Sequence, residues 1–547
     1  MRKKALILSV LFLLFLSLSY TYSAFNSSIT GIISFNIKDW VFKVNIDNST
    51  KYEDGYKLHL TGASGSFNVN INTVGGSKYV DYSIELIGDS SIKYYTDSNY
   101  TNLISNNIYN GSINSNTSGT TTIYYKSDNN INSDILIKTK AVVKAIPIYG
   151  IKRDTNSTTS TWERIEDSVG LVANASLPGN ENVQNDFDNI YPWSDMKSYN
   201  YDANTKNVTA WYGDGNFAFD GSNGEVLTYI PGFYYKREVV DGIEYQYISE
   251  TEQEGYAYSE PFSVGRYKIS GGTDAYHNSS AVSGTTGDVF TGKSKNGVYP
   301  SANAALPKFR ESASALGTEF SILDYHWYLL QMLYLVEYAD YDSQTKLGKG
   351  VSSNVSGAII MGGTDSLGMK SGCLINDGAH SMIYRGIEDI YGNTADFLDG
   401  INIRNFQAYI NYDFTTYESD VFDGNYQALG YINESFGDDG AGEGYITKLG
   451  YDSNNPLIGL PTEIDATNSD ESNPTGIKDA YGAFPGDVIL LVGGRFNDSN
   501  DAGIWWSIAH RRSVGSYPYV GSRLVRHQTS GGRIVTVPQE GTSDGGR

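Results

Sequence analysis

Cysteine is almost missing from this chain: one residue, Cys373, in 547. A lone cysteine closes no intrachain disulfide, so packed cores and hydrogen bonds have to hold the fold. That absence favours a bacterial exported protein over an animal one. Basic residues are short as well. Forty Lys and Arg against 62 Asp and Glu leave a net charge of −22, which argues against nucleic acid as a partner, because phosphate binding needs clustered cations. The six histidines (His59, His277, His326, His380, His510 and His527) are scattered. Long apolar runs are limited to one, residues 5–18, which is too short to span a bilayer comfortably, since that takes about 20 residues.

That run follows Arg2-Lys3-Lys4 and reads as the core of a secretory signal over residues 1–23, with processing expected near Ser23 or Ala24. Left uncleaved, the same segment is an anchor and the chain's one membrane contact. Either way the expected location is secreted or at the bacterial cell surface. The stretch 528–547 is rich in Gly, Ser and Thr and is expected to be a flexible tail. Between these ends, 40% hydrophobic and 13% aromatic residues are ample for folded cores, and the length predicts about three domains.

From residue 34 to about 147, short segments alternate apolar and polar residues, as half-buried strands do. Residues 40–46, 56–60, 67–71, 81–87, 121–126 and 135–140 are the clearest, separated by Asn/Asp/Gly/Ser clusters. The pattern predicts an antiparallel, Ig-like β-sandwich over 24–147, with roughly seven strands. Residues 148–223 read as an irregular, β-rich connecting region. Its Asp186, Asp188 and Asp195 sit among Asn and Pro around Trp193, where Asp makes its own backbone turns more often than it binds metal.

A third domain is expected over 224–527. Its one prominent helix is predicted at 325–341 with Asp324 as N-cap, apolar nearly all round and therefore buried. His326 has no second ligand at i+3 or i+4 and reads as a packed or surface histidine. The last forty residues are the richest in recognition chemistry. A strand, Ile489-Leu490-Leu491-Val492, runs into Gly493-Gly494, and the loops and strands that follow carry Arg495, Phe496, Trp505, Trp506, His510, Arg511, Tyr517 and Tyr519. Such side chains give much contact energy for little ordering entropy. Adjacent strand residues face opposite ways, so one of Trp505 and Trp506 is expected in the core and the other at a surface.

This closing stretch resembles the end of the formylglycine-generating-enzyme (sulfatase-modifying-factor) branch of the C-type lectin fold. In that branch an apolar strand enters Gly-Gly-x-aromatic and a final strand carries Gly-x-Arg-Leu. Here these are Gly493-Gly494-Arg495-Phe496 and Gly521-Ser522-Arg523-Leu524. The segment Ile387-Glu388-Asp389-Ile390-Tyr391-Gly392-Asn393-Thr394-Ala395-Asp396-Phe397 looks like the branch's Leu-x-Asp-Met-x-Gly-Asn-Val-Trp-Glu-Trp, and Val336-Glu337-Tyr338-Ala339 like its helix end. With Ile230-Pro231-Gly232-Phe233 and the Tyr-Pro-Trp-Ser-Asp-Met-Lys landmark at 191–197, the order is similar to phage tail-fibre and variable ligand-binding, tropism-determinant-like proteins. The N-terminal part resembles exported camelysin-like and biofilm-matrix proteins of Gram-positive bacteria, on Ser23-Ala24-Phe25 and on the Tyr-Lys strand followed by Asn129-Asn130. The resemblance implies a mainly β chain with an α+β C-terminal domain, an Ig-like sandwich followed by a C-type lectin-like domain. It also implies that Arg495, Phe496, Trp505, Trp506, His510, Arg511, Tyr517 and Tyr519 form a ligand-binding surface.

Enzymatic chemistry of that branch is not expected. Formylglycine generation uses paired cysteines near the closing segment, and Cys373 lies over a hundred residues upstream of it. Gly541-Thr542-Ser543-Asp544-Gly545 spells a hydrolase elbow but stands in the expected tail, without a strand–turn–helix. Phe496-Asn497-Asp498 matches half of the animal calcium–sugar motif, without its Glu-Pro-Asn or Gln-Pro-Asp half, and the run 438–443 reads as an exposed acidic loop. No catalytic residues, metal or cofactor are therefore expected. The reading is a ligand-binding or adhesion protein whose partner is a protein or glycan on another cell, phage or matrix. A structural subunit of an extracellular assembly is the alternative, and a catalytic variant a distant third. Oligomeric state stays open.

Overall fold

The computed structural model describes residues 29–30, 41–52, 54–74, 79–114, 117–142, 147–278, 290–433, 442–465 and 476–528. The signal segment, the 541–545 spelling, the acidic run up to residue 441 and the tail beyond 528 lie outside the described residues. Strands take 44% of the protein and helices 10%, which makes the class mainly β. No helix among the described residues is long and apolar enough to cross a membrane. The chain divides into two compact units, residues 1–147 and 148–547.

The first unit is built on two long antiparallel strands, Gly55–Val74 and Ser118–Val142. Each was expected as two short strands. They merge because the pairing continues through a register shift, from Gly62 opposite Ile131 to Ser64 opposite Lys126. Gly62 takes φ +86°, open to glycine at little cost, and the extra residues bend the ribbon so that it can curl over its own apolar face. Val41–Ile46 pairs with the first long strand, while Tyr79–Ile87 pairs with both the second and Ile108–Asn114. Val69, Ile84, Ile123 and Ile137 are wholly buried between the layers this creates. The described strands thus join in one sheet rather than the two separate sheets of the expected layout.

The second unit opens with strands where a connecting region was expected. Ile148–Asp154 and Glu163–Glu166 belong to a five-stranded antiparallel sheet with Phe233–Val240, Ile243–Ser249 and Ala257–Ser259. Lys197–Asp202 and Asn207–Trp211 belong to a six-stranded antiparallel sheet whose order continues Glu225–Ile230, Phe262–Lys268, Arg523–His527, Phe320–Ile322. A third sheet runs through Ala395–Arg404, Asp487–Val492, Ser507–Arg511 and Ala480–Ala483. Residues 148–223 are integral because their aromatics are core: Trp193 is buried and its Nε1–H donates to Leu333 O (3.1 Å) of the central helix.

That helix spans His326–Tyr338, and every residue in it but Gln331 is buried. It starts one residue later than expected, although Tyr325 already has helical dihedrals, and Asp324 Oδ1 accepts the His326 N–H at 3.1 Å. It stops earlier because Ala339 turns left-handed (φ +50°) and its carbonyl is taken by the Trp162 N–H. Glu337, near its end, is wholly buried and held by Arg385 through two 2.8 Å bonds, by Tyr384 OH (3.0 Å) and by Asn185 Nδ2 (2.8 Å).

The last strand enters the six-stranded sheet between Phe262–Lys268 and Phe320–Ile322, so the chain's end completes its middle. Arg523 fixes it there. Its buried guanidinium donates to Gly265 O (2.8 Å), Arg266 O (3.0 Å), Glu388 O (2.6 Å) and Asp389 O (2.9 Å). Asp396 lies 4.0 Å away and is itself paired with buried Lys268 at 3.0 Å. Removing one member of such a network strands the others without water or partner. Arg523→Met is therefore expected to lower the stability read by urea unfolding by about 3–5 kcal/mol, and Arg523→Lys, which keeps the charge but loses the fork, to stay well below wild type. Wild-type stability in Arg523→Met would remove the network from the account.

Candidate functional site

The closing segment is shaped by glycines that no other residue replaces easily. Gly493 and Gly494 both take positive φ, and a Cβ on Gly494 would meet Ala502 Cβ at 2.8 Å. The chain then turns on Asp498, whose Oδ2 accepts the Arg495 N–H (2.7 Å) while its carboxylate holds the Arg495 guanidinium. A second turn is held from outside. Buried Asp479 accepts the Trp505 N–H at 2.7 Å, and a Cβ on Gly503 would stand 2.3 Å from that same carboxylate. Burial raises the Asp479 pKa well above the usual carboxylate range.

These turns place the eight expected ligand residues unequally. Arg495, Trp506, His510, Arg511, Tyr517 and Tyr519 come together. The Arg495 guanidinium carbon lies 5.1 Å from the Tyr519 ring centre and 5.9 Å from that of Trp506. Arg511 stacks over Tyr517 at 4.7 Å and its Nη2 donates to Tyr519 OH at 3.1 Å. The two tyrosine rings stack at 6.3 Å, and His510 sits edge-on to Phe484 at 5.0 Å. All but Trp506 are half-buried. Beside Arg495 and Trp506 a polar cleft of about 150 Å³ is lined by Tyr481, Asn497, Asp498, Ser499 and Asp501.

Phe496 and Trp505 are not part of it. Phe496 is buried against Ala275, Ala302, Val351 and Ala358 and stacks on Tyr276 at 5.7 Å. Trp505 lies in the main core, 4.7 Å from the Tyr341 ring and 5.7 Å from Tyr334. The expectation that one of the two tryptophans would be exposed is corrected: Trp505 is 5% exposed and Trp506 3%. They do diverge, but apolar clusters lie on both sides of the segment, and Trp506 joins the second with Ile489, Leu491 and Ile508. Alternation fixes opposite directions, not opposite burial.

Sequence reasoning missed two groups. Asp479 and Tyr481, on the neighbouring Ala480–Ala483 strand and its approach, reach the site only through a parallel pairing with Ser507–Arg511. Asp324, His326 and His527 bring their ligating atoms within 4.8 Å of one another, although some two hundred residues separate the histidines in sequence. An Asp-x-His at a helix start was the available signal. Cys373 is buried, and burial pushes its thiol up to about 11, away from thiolate chemistry. Asp186 accepts the Val172 N–H, Asp195 the Ser194 hydroxyl and Asp188 a bond from Arg385. No protein-family profile matches the chain, and no curated protein sequence matches it.

Two outcomes follow. Trp505→Ala and Trp506→Ala should both destabilise, each by about 3–5 kcal/mol, read as a fall in melting temperature; an unshifted melting curve in either would contradict the burial. His510 titrates at about 4 instead of 6.5, first through burial and then through Arg511 and Arg495. Between those values the unfolded chain takes up a proton that the folded chain refuses. Its share of stability is full above pH 6.5 and lost as the pH falls towards 4. His510→Gln should accordingly flatten the loss of urea resistance between pH 7 and pH 5, roughly the window that linkage sets, and an unchanged slope would refute the burial of the neutral imidazole.

Proposed function

We propose that the chain is an exported ligand-binding protein of bacterial surfaces. Its second unit is a C-type lectin-like recognition head of the formylglycine-generating-enzyme type, and its first unit, built on one antiparallel sheet, a stalk. The observation that carries this reading is the row of half-buried cationic and aromatic side chains at the closing segment, Arg495, Tyr519, Arg511 and Tyr517, held by one another beside a polar cleft. Such a row is pre-ordered, so a ligand gains aromatic and hydrogen-bonding contact without ordering the side chains first. Arg495 is already neutralised by Asp498, and Asp501 adds another carboxylate. The cleft therefore suits a neutral, hydrogen-bonding ligand, a glycan or a polar protein loop, better than a phosphate.

The test is binding of the purified full chain to bacterial cells and to immobilised glycans, with thermal unfolding run in parallel. Tyr517→Ala and Arg511→Ala should stay folded and lose at least about 2 kcal/mol, roughly thirtyfold, in affinity. Normal binding by both folded variants would overturn the placement. Polymerisation of the chain by itself, without ligand, would favour a structural subunit instead.

A further inference from the structure

Away from the closing cleft, the first residues before the central helix meet the last strand of the sheet. Asp324 is wholly buried, His326 is 4% exposed and His527 9%. Asp324 Oδ1 lies 2.6 Å from His326 Nδ1, and Asp324 Oδ2 lies 3.6 Å from His527 Nε2. Tyr417 OH donates to the same Oδ2 at 3.2 Å, and Ser321 Oγ stands 2.8 Å from His527 Nε2. A carboxylate taken out of water needs a countercharge. Among the described residues, the ion-pair partners of Asp324 are these two imidazoles, with no lysine or arginine.

Both rings are fixed before any ligand arrives. Tyr325 and Phe262 each lie 4.2 Å from the His326 ring, and Phe414 lies flat on His527 at 3.5 Å. Ligands held in this way lose little freedom on coordination. Two imidazole nitrogens and one carboxylate are the donor set of zinc and its neighbours, whereas calcium and magnesium take oxygen. Metal–nitrogen bonds of about 2.0–2.1 Å place neighbouring ligand atoms roughly 3–3.5 Å apart; the two separations from Asp324, 2.6 and 3.6 Å, bracket that range, and all three ligand atoms lie within 4.8 Å, so coordination draws them together slightly. A hydrolytic Ser–His–Asp relay fits poorly, because Ser321 and Asp324 approach the same nitrogen of His527.

We propose that Asp324, His326 and His527 bind one divalent ion of the zinc class, a clip between the start of the central helix and the end of the closing strand. Ser321 Oγ, 2.8 Å from His527 Nε2, is the polar atom at hand for a fourth position. Binding displaces the proton shared between Asp324 and His326, which leaves to solvent. This site is independent of the recognition surface and would stand if that reading failed.

The experiment uses the full chain, freed of metal by chelation and titrated with Zn²⁺ by calorimetry and with Co²⁺ by visible absorption. One equivalent of zinc should bind and raise the melting temperature, and cobalt should show the intense bands of a four- or five-coordinate ion. His527→Gln, which keeps the ring's volume approximately and a polar tip, should weaken zinc at least about a hundredfold, since losing even an outer partner of a ligand costs 10–100-fold. His59→Ala, in the other unit, should bind as wild type. No saturable uptake by the wild type, or equal uptake by His527→Gln, would overturn the site. Should His527→Gln fail to fold, a six-coordinate, weakly absorbing cobalt spectrum in the wild type would do the same.

Discussion

The second unit depends on one buried guanidinium. Arg523 reads four carbonyl oxygens from two stretches far apart in the chain, 265–266 and 388–389, and so joins the middle of the six-stranded sheet to the turn before the strand Ala395–Arg404. Around it, Lys268 and Asp396 pair out of water, and burial raises the carboxyl pKa values of Glu388 and Asp389, for Glu388 with the adjacent Asp389 adding to the effect. Burial pulls the Arg523 and Lys268 pKa values down at the same time. Opposing shifts of this kind are what ions of both signs experience when they share one dry volume, and they persist only while every member is in place. Since Arg523 is on the closing strand, that strand's docking completes the network.

A second buried pair does the same for the helix. Arg385 is wrapped around Glu337 and reaches Trp193 O at 3.3 Å and Asp188 at 3.1 Å. The polar residues at the helix end, in the Gly-Asn turn and in the final strand are mostly of this kind. Glu337 lies in the helix end, Asp389 and Asn393 in the Gly-Asn turn, where Asn393 Nδ2 donates to Asp389 at 2.9 Å, and Arg523 in the final strand. They are framework, solving a buried-polar problem, while the half-buried cationic and aromatic groups of the closing segment lie outside that network.

This division explains how much was legible. Period-two alternation was read correctly for 41–46 and 81–87, and the all-round apolar helix was read as buried, because these signals are local. The union of 56–60 with 67–71 was not legible, because Gly62 looks like a turn in sequence and acts as a bend within a ladder. The fate of Trp505 and Trp506 was not legible either, since it turns on whether one core or two flank the segment, a property of sheets whose residues begin as far back as Ile151 and Tyr199. Nor can spacing bring His527 to Asp324. Pairing of Phe320–Ile322 with Arg523–His527 does that, with Phe320 opposite Arg526.

The same pairing has a consequence for how the molecule divides its labour. The stretch between Gly493 and Gly521 is tied at both ends, by the sheet pairing of Asp487–Val492 and by the parallel bridge of Val520–Gly521 to Ala395–Asp396. Within it, Phe496 and Trp505 are driven into separate apolar pockets and act as fixed posts. Arg495, Arg511, Tyr517 and Tyr519 lie outside those posts and are half-buried, and their cationic and aromatic groups hold each other. Arg511 and Tyr517 are half-buried, with Tyr517 packed on the edge of the second core, so substitution there acts mainly on the surface, whereas substitution at a post shifts the surface and the fold together. The separation of buried posts from half-buried cationic and aromatic groups arises from which side chains of one short segment the flanking cores take up.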